Sequence, residues 1–157
     1  MGRPVVHRHH LLAAADPACE PLGRGNRLIF ASGLLADTAV TTAGRLSVGG
    51  KSPLTGGVKE ANVGGAAGRK IARLGLKALV LEDAPDDPGC RILVVRKDGA
   101  ELVDAPELAR LTTRATLRSL RERFGDAGIL CIGPAGEMRL GAAVVATPDD
   151  SGVQLRV

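Results

Sequence analysis

The sequence predicts an α+β fold with largely antiparallel or mixed sheets. Short apolar runs bounded by glycine, proline and aspartate outnumber amphipathic stretches. Only two segments carry helical spacing, and no long alternation of strand and helix runs through the chain, which argues against a doubly wound parallel sheet. The 157 residues suit one domain, long enough to bury a genuine core.

Residues 1–26 read as irregular, punctuated by Pro4, Pro17, Pro21 and Gly25. RLIFAS at Arg27–Ser32 is the first clear strand, with apolar, aromatic and β-branched residues between turn signals. A second strand is expected at Arg45–Val48, ended by Gly49-Gly50, and Ser52-Pro53-Leu54-Thr55-Gly56 then reads as a tight turn. After Asn62 the period changes. Ala66, Ala67, Lys70, Ile71 and Leu74 fall on helical spacing, and Gly75 marks the stop. KALVLE at Lys77–Glu82 and RILVVR at Arg91–Arg96 are short apolar runs expected as strands, and Asp98-Gly99 predicts a hairpin between the second of these and Ala100–Val103. TRATLRSLRERF at Thr113–Phe124 is the clearest helix: Leu117, Leu120 and Phe124 share one face, while Arg114, Arg118, Arg121 and Glu122 cover the other. Gly125 follows as its stop. Further strands are expected at Ile129–Ile132, Leu140–Thr147 and Val153–Val157.

Composition narrows the function classes. Trp and Tyr are absent and Phe30 and Phe124 are the only aromatics, so stacking of nucleic-acid bases is nearly excluded. A net charge of +4, without any block of basic residues, suits an acidic ligand but is too mild to argue for nucleic acid. Cys19, Cys90 and Cys131 are too few and too dispersed for a disulfide framework, a zinc site or an iron–sulfur cluster, which suggests a reduced cytoplasmic protein. No apolar run reaches the roughly 18 residues of a membrane span. The run Leu11–Ala15 is too short for a secretory h-region.

The stretch most suggestive of chemistry is RLSVGGKSPLTGGVKEANVGGAAG, Arg45–Gly68, with seven glycines around one arginine, two lysines and one asparagine. Glycine at that density permits positive φ and close backbone approach, and the cationic and amide side chains point to an anion. Gly50-Lys51-Ser52 resembles the end of a nucleotide-binding phosphate loop, but the spacing fails. Arg45 stands where the first glycine belongs, Gly44 is one residue early, and Pro53 removes an N–H where a helix should open. Asn62-Val63-Gly64-Gly65 is the better site. Two glycines before a helix expose its free N–H groups to an anion. Asn62 can offer an amide oxygen to magnesium or its NH₂ to phosphate, and Arg45 can grip phosphate with its planar fork. A plain glycine turn, with Asn62 capping the helix and Arg45 solvated, fits the same residues. His7, His9 and His10 lack a matching second ligand set. Glu137 reads as a turn-supporting carboxylate and Cys131 as a buried inert thiol.

Several of these motifs occur together in one known family. DPACEPLGRGNRLIFASG at 16–33, AGRLSVGGKSPLTGG at 43–57, ANVGG at 61–65, LGLKALVLED at 74–83 and IGPAGE at 132–137 follow one another as in the N-terminal domain of the tungsten-containing aldehyde ferredoxin oxidoreductases, which this chain resembles. The resemblance implies two β-sheets related by a pseudo-twofold repeat, forming a base for a tungsten (or molybdenum) bis-pterin. It places Arg45, Asn62, Val63, Gly64 and Gly65 at the pterin phosphates, with Asn62 also at the bridging magnesium. It assigns residues 1–10 to an irregular segment, 11–147 to the domain and 148–157 to a divergent tail.

The same resemblance implies aldehyde oxidation to carboxylate, with electrons leaving through an iron–sulfur cluster to ferredoxin. Cluster ligands and acid–base residues belong to other domains of the family. No residue here is therefore expected to be catalytic, no cluster is expected in this chain, and a separate chain carrying those domains is the expected partner. Ferredoxin would be met only through the full enzyme; neither nucleic acid nor a membrane is expected. The alternative is a noncatalytic assembly module or a gene remnant without cofactor. Two departures stand out: Ala66 and Ala67 occupy positions that are aromatic in the family, implying looser packing, and GAAVVATPDDSGVQLRV replaces a glycine- and arginine-rich continuation.

Overall fold

The computed structural model describes residues 16–83, 87, 89–149, 152 and 154–156. The first half of the chain builds a four-stranded antiparallel sheet from β1 (Arg27–Ser32), β2 (Leu46–Lys51), β3 (Val58–Val63) and β4 (Ala78–Glu82), ordered β3-β2-β1-β4. Helix α1 (Ala67–Arg73) carries the chain from β3 to the far edge of the sheet. Central β1 is buried on both faces: Phe30 packs into the core under α1, while Ile29 and Ala31, on the opposite face, are fully buried. A strand covered on both sides must read as a continuous apolar run, and RLIFAS does.

Two sequence expectations need correcting here. β2 does not end at Val48 but runs through Gly49 and Gly50 to Lys51, because each pairs with β3 (Gly49 with Glu60, Gly50 with Lys59). The strand β3 itself was not foreseen. It is an edge strand with Val58 and Lys59 exposed, so burial imposes little apolar alternation on it. The expected turn does form, as the β2–β3 connection: Gly56 N–H donates to Ser52 C=O and Ser52 N–H to Gly57 C=O, both at 2.8 Å. The Ser52 hydroxyl accepts from the N–H groups of Leu54 and Thr55.

The second half pairs β5 (Arg91–Arg96) with β6 (Gly99–Asp104), and β7 (Ala146–Pro148) with β8 (Gln154–Arg156). The expected hairpin is present, with Lys97 and Asp98 as its two loop residues, since Gly99 already pairs with Arg96. Helix α2 (Thr113–Phe124) has the expected ends. The Thr112 side chain accepts from Ala115 N–H at the start, and Gly125 at φ 58° closes it. The IGPAGE motif, read as a turn, contains one helical turn, α3 (Pro134–Glu137), with proline opening it. Strands expected at Ile129–Ile132 and Leu140–Thr147 shrink to a single bridge between Cys131 and Ala146 and to the short β7. Gly141 to Val144 carry no pairing because the segment turns there instead of extending.

Two cores result. One holds Phe30, Leu46, Val48, Val63, Ala67 and Ile71; the other holds Ala105, Leu108, Leu117, Leu120 and Ile129. Each sets one helix against strands, the α+β architecture with antiparallel sheets that the sequence predicts. The extended run Ile129–Cys131 joins them by alternation. Ile129 and Cys131 face the second core, while Leu130, between them, packs on the first. Thr147, fully buried, donates its hydroxyl to Ile129 C=O at 2.7 Å and holds this seam. The small residue at 67 does not leave a gap: Ala67 is buried, and Gly128 lies so close that a Cβ there would stand 3.0 Å from Ala67 Cα.

Leu46→Ala and Leu117→Ala, one in each core, should each destabilise the chain by about 2–5 kcal/mol in chemical denaturation. Because the 129–131 segment serves both cores, each variant should still unfold in one cooperative transition. Two separated transitions would show the halves to be independent.

Candidate functional site

Antiparallel register brings the expected site residues to one end of β2 and β3. Ser47 pairs with Asn62 and Leu46 with Val63, where the ladder ends, and Arg45 and Gly64 are the next residues of the two strands just beyond that last paired rung. Residues two apart share a sheet face. Asn62 and Ser47 therefore lie on one face, continued at the ladder's end by Arg45 and Gly64, while Val63 points into the first core. Arg45 and Asn62 are both exposed, and no hydrogen bond or ion pair joins the Arg45 guanidinium to another described residue. Beside Gly64 there is open space, with nothing within 4 Å of where a side chain would begin.

Helix α1 contributes differently from expectation. It starts at Ala67, its N-cap is Ala66 without a side-chain cap, and Asn62 is a strand residue that does not cap it. The helix is seven residues long, so its dipole adds little at the site. Gly65 and Gly68 serve packing. Gly65 has φ 85°, and a Cβ on it would stand 2.6 Å from Pro148 O; a Cβ on Gly68 would stand 2.6 Å from Gly44 O and 3.0 Å from Arg45 O. The second of these contacts locks the helix against the backbone of Arg45.

One residue was missed in the sequence. Glu60, half-buried on β3, accepts the Ser47 hydroxyl at 2.6 Å and the Asn62 amide at 3.4 Å. The signal was available in VKEANV, where Glu60 and Asn62 are two apart, but only once that segment is recognised as a strand.

Other candidates have structural work. Lys51 Nζ donates to the carbonyls of Pro17 and Cys19, both at 2.6 Å, and Asn26 clasps the Lys51 backbone from both sides. Gly50-Lys51-Ser52 is thus the end of a paired strand, in agreement with rejecting the nucleotide loop. Both oxygens of Glu137 accept the N–H of Arg110, at 2.9 and 3.1 Å, so the carboxylate is structural, but it holds the distant loop at Arg110 and not the IGPAGE turn it was expected to support. Burial pushes the Cys131 thiol up to about 11, which keeps it protonated and inert. The histidines at 7, 9 and 10 lie outside the described residues.

A basic groove along α1 is lined by Ala66, Arg69, Lys70, Arg73 and Asp126; Arg73 pairs with Asp37 and Lys70 with Asp126. The hydrogen bond from Arg73 holds the Asp37 carboxyl below the usual range, and that from Lys70 does the same for Asp126.

The polar groups at the β2–β3 end are a guanidinium that donates hydrogen bonds, an amide that can donate or accept, and a carboxylate that accepts, beside open space. That set suits a phosphate with a hard, oxygen-seeking cation. Among the described residues, no group of three or more His, Cys, Asp or Glu could hold a metal ion, so any cation there would need ligands from its anion.

Fold and face together define a small α+β domain with a hard-donor set at one sheet end. The family model for the N-terminal domain of aldehyde ferredoxin oxidoreductase matches residues 2–155, and the chain belongs to that family. Tungsten-containing aldehyde ferredoxin oxidoreductases of Pyrococcus abyssi and Pyrococcus horikoshii are each 37% identical over 139 residues, covering 87% of this chain and 23% of theirs. That of Pyrococcus furiosus is 36% identical over 129 residues. The chain thus spans less than a quarter of the length of these relatives. Among solved structures, the active-site complex BamBC of benzoyl-coenzyme A reductase with 1,5-dienoyl-CoA superposes with a TM-score of 0.85 at 26% identity, covering 94% of this chain and 22% of that one.

The depressed carboxyls of Asp37 and Asp126 stabilise the fold above their ordinary range, and that contribution is lost as pH falls through their lower folded values. Thermal stability should therefore fall below about pH 4. Asp37→Asn should flatten part of the decline, and an unchanged acid profile would show that the pair contributes nothing.

Proposed function

We propose that this chain is the cofactor-base domain of an aldehyde ferredoxin oxidoreductase-like protein, holding the phosphate and magnesium end of a tungsten (or molybdenum) bis-pterin. The observation that carries this reading is the shared face of Arg45, Asn62 and Gly64, beside open space, in a chain of this family. Arg45 grips a phosphate by its fork. Asn62 gives an oxygen to magnesium, and the open space at Gly64 lets the anion approach, while Gly65, packed against Pro148, holds that turn in place. When bound, the metal pterin supplies the redox centre for oxidising an aldehyde to a carboxylate. The residues of this chain orient and charge-balance the group; they move no proton of the substrate. Turnover takes place only with the cluster-bearing and remaining pterin domains, supplied by further sequence or a separate chain, and ferredoxin is met through that assembly. The setting is cytoplasmic; among the described residues no helix is long and apolar enough to cross a membrane.

A second reading, a noncatalytic assembly module without cofactor, draws on exposed apolar residues. Leu54 is 70% exposed, Met138 69% and Leu140 50%, and Gly141 approaches the backbone of Pro53 and Leu54. This surface would take a protein partner.

Co-purification with metal analysis separates the two. Tungsten or molybdenum recovered with a partner chain supports the first, and a metal-free complex the second. Within the first, Arg45→Ala should lower cofactor retention by about tenfold or more and leave the melting temperature unchanged. Aldehyde-dependent dye reduction by the purified 157-residue chain alone would refute the assignment of catalysis to other domains.

A further inference from the structure

The buried hydroxyl of Ser47 and the amide of Asn62 converge on one oxygen of Glu60, at 2.6 and 3.4 Å. A carboxylate only accepts hydrogen bonds, so Asn62 must present its NH₂ to Glu60 and turn its amide oxygen away. Glu60 belongs to the rung opposite Gly49, but these bonds draw its side chain over the Ser47–Asn62 rung. Its negative charge then lies about 7 Å along the strand from the Arg45–Gly64 level, given two residues per repeat.

Such a face is contradictory for a bare phosphate, which Arg45 attracts and Glu60 repels. A divalent cation removes the contradiction, since magnesium binds through one or two protein oxygens together with phosphate oxygens. Resting on the pterin-phosphate reading above, we propose that Glu60 makes phosphate binding at this face conditional on a divalent cation. It does so by repelling the bare anion and by holding the Asn62 oxygen outward as a cation ligand. Glu60 is a positioning residue, and Ser47 is the anchor that keeps it in place. In the family resemblance this residue had no role; the assignment comes from the hydrogen bonds of β2 and β3.

The test uses inorganic pyrophosphate as the probe, titrated calorimetrically into the full chain with and without Mg²⁺. The parent chain should bind at least about tenfold more tightly when Mg²⁺ is present, from the interaction of charges at this separation. Glu60→Gln keeps the size of the side chain and an oxygen for Ser47, so it tests charge alone. It should bind bare pyrophosphate more tightly than the parent and lose most of the Mg²⁺ dependence, a ratio that a purely structural role would not move. Ser47→Ala, which frees Glu60 without removing it, should reduce the dependence partially, and unchanged melting curves would confirm that both variants fold. Equal parent binding with and without Mg²⁺, or an unchanged ratio in Glu60→Gln, overturns the inference while the site survives, provided Arg45→Ala still weakens binding by about tenfold or more. If Arg45→Ala binds as the parent does, or if the parent binds in neither condition, the underlying phosphate reading falls with it.

Discussion

Backbone meets backbone at the start of α1, and the arrangement of the molecule depends on that contact. Gly68 lies against the carbonyls of Gly44 and Arg45, and Gly65 against that of Pro148, at distances no side chain could occupy. Close approach there lets the helix sit low on the sheet, so that Ala67 and Ile71 reach Leu46, Val48 and Val63. It also fixes the chain where β2 begins. Any side chain at position 68 would lift the helix, and Arg45 would no longer stand beside the end of the ladder.

The same contact couples the halves of the chain. Pro148 belongs to β7, which is tied to the second core through Cys131 and through the Thr147 bond to Ile129. The seam between the two cores therefore runs beside Gly65. A site at the β2–β3 end is supported on one side by the first sheet and on the other by the segment that closes the second half. Neither half by itself presents this surface.

Charge is distributed selectively. Although the chain carries a net charge of +4, several of its cations are engaged: Lys51 by backbone carbonyls, Lys70 and Arg73 by aspartates, Arg27, Arg91, Arg96 and Arg123 by carboxylates. Surface pairs of this kind stabilise little individually, but they neutralise the field around each cation. Arg45 has no such partner among the described residues, and in that it resembles Arg114 and Arg118 on the exposed side of α2. What distinguishes it is its place at the end of the β2–β3 ladder near Asn62, not the lack of a partner. Family membership places that charge in a domain whose longer relatives are named as tungsten-containing enzymes.

Local sequence by itself determined the elements whose signals act over short range. Gly125 stops α2, Asp98-Gly99 marks a hairpin, and RLIFAS announces a strand, because capping, turn chemistry and strand-forming side chains leave their mark on adjacent residues. The ordered motifs from Asp16 to Glu137 likewise carry the family. Only the tertiary structure decided that VKEANV is a strand, that Gly49 and Gly50 continue one, and that the run at 129–132 forms one bridge instead of a ladder. An edge strand is held by a neighbour's hydrogen bonds, and those depend on register, which no local pattern specifies. Glu60 was hidden for the same reason: its position beside Asn62 and Ser47 exists only once two strands have paired.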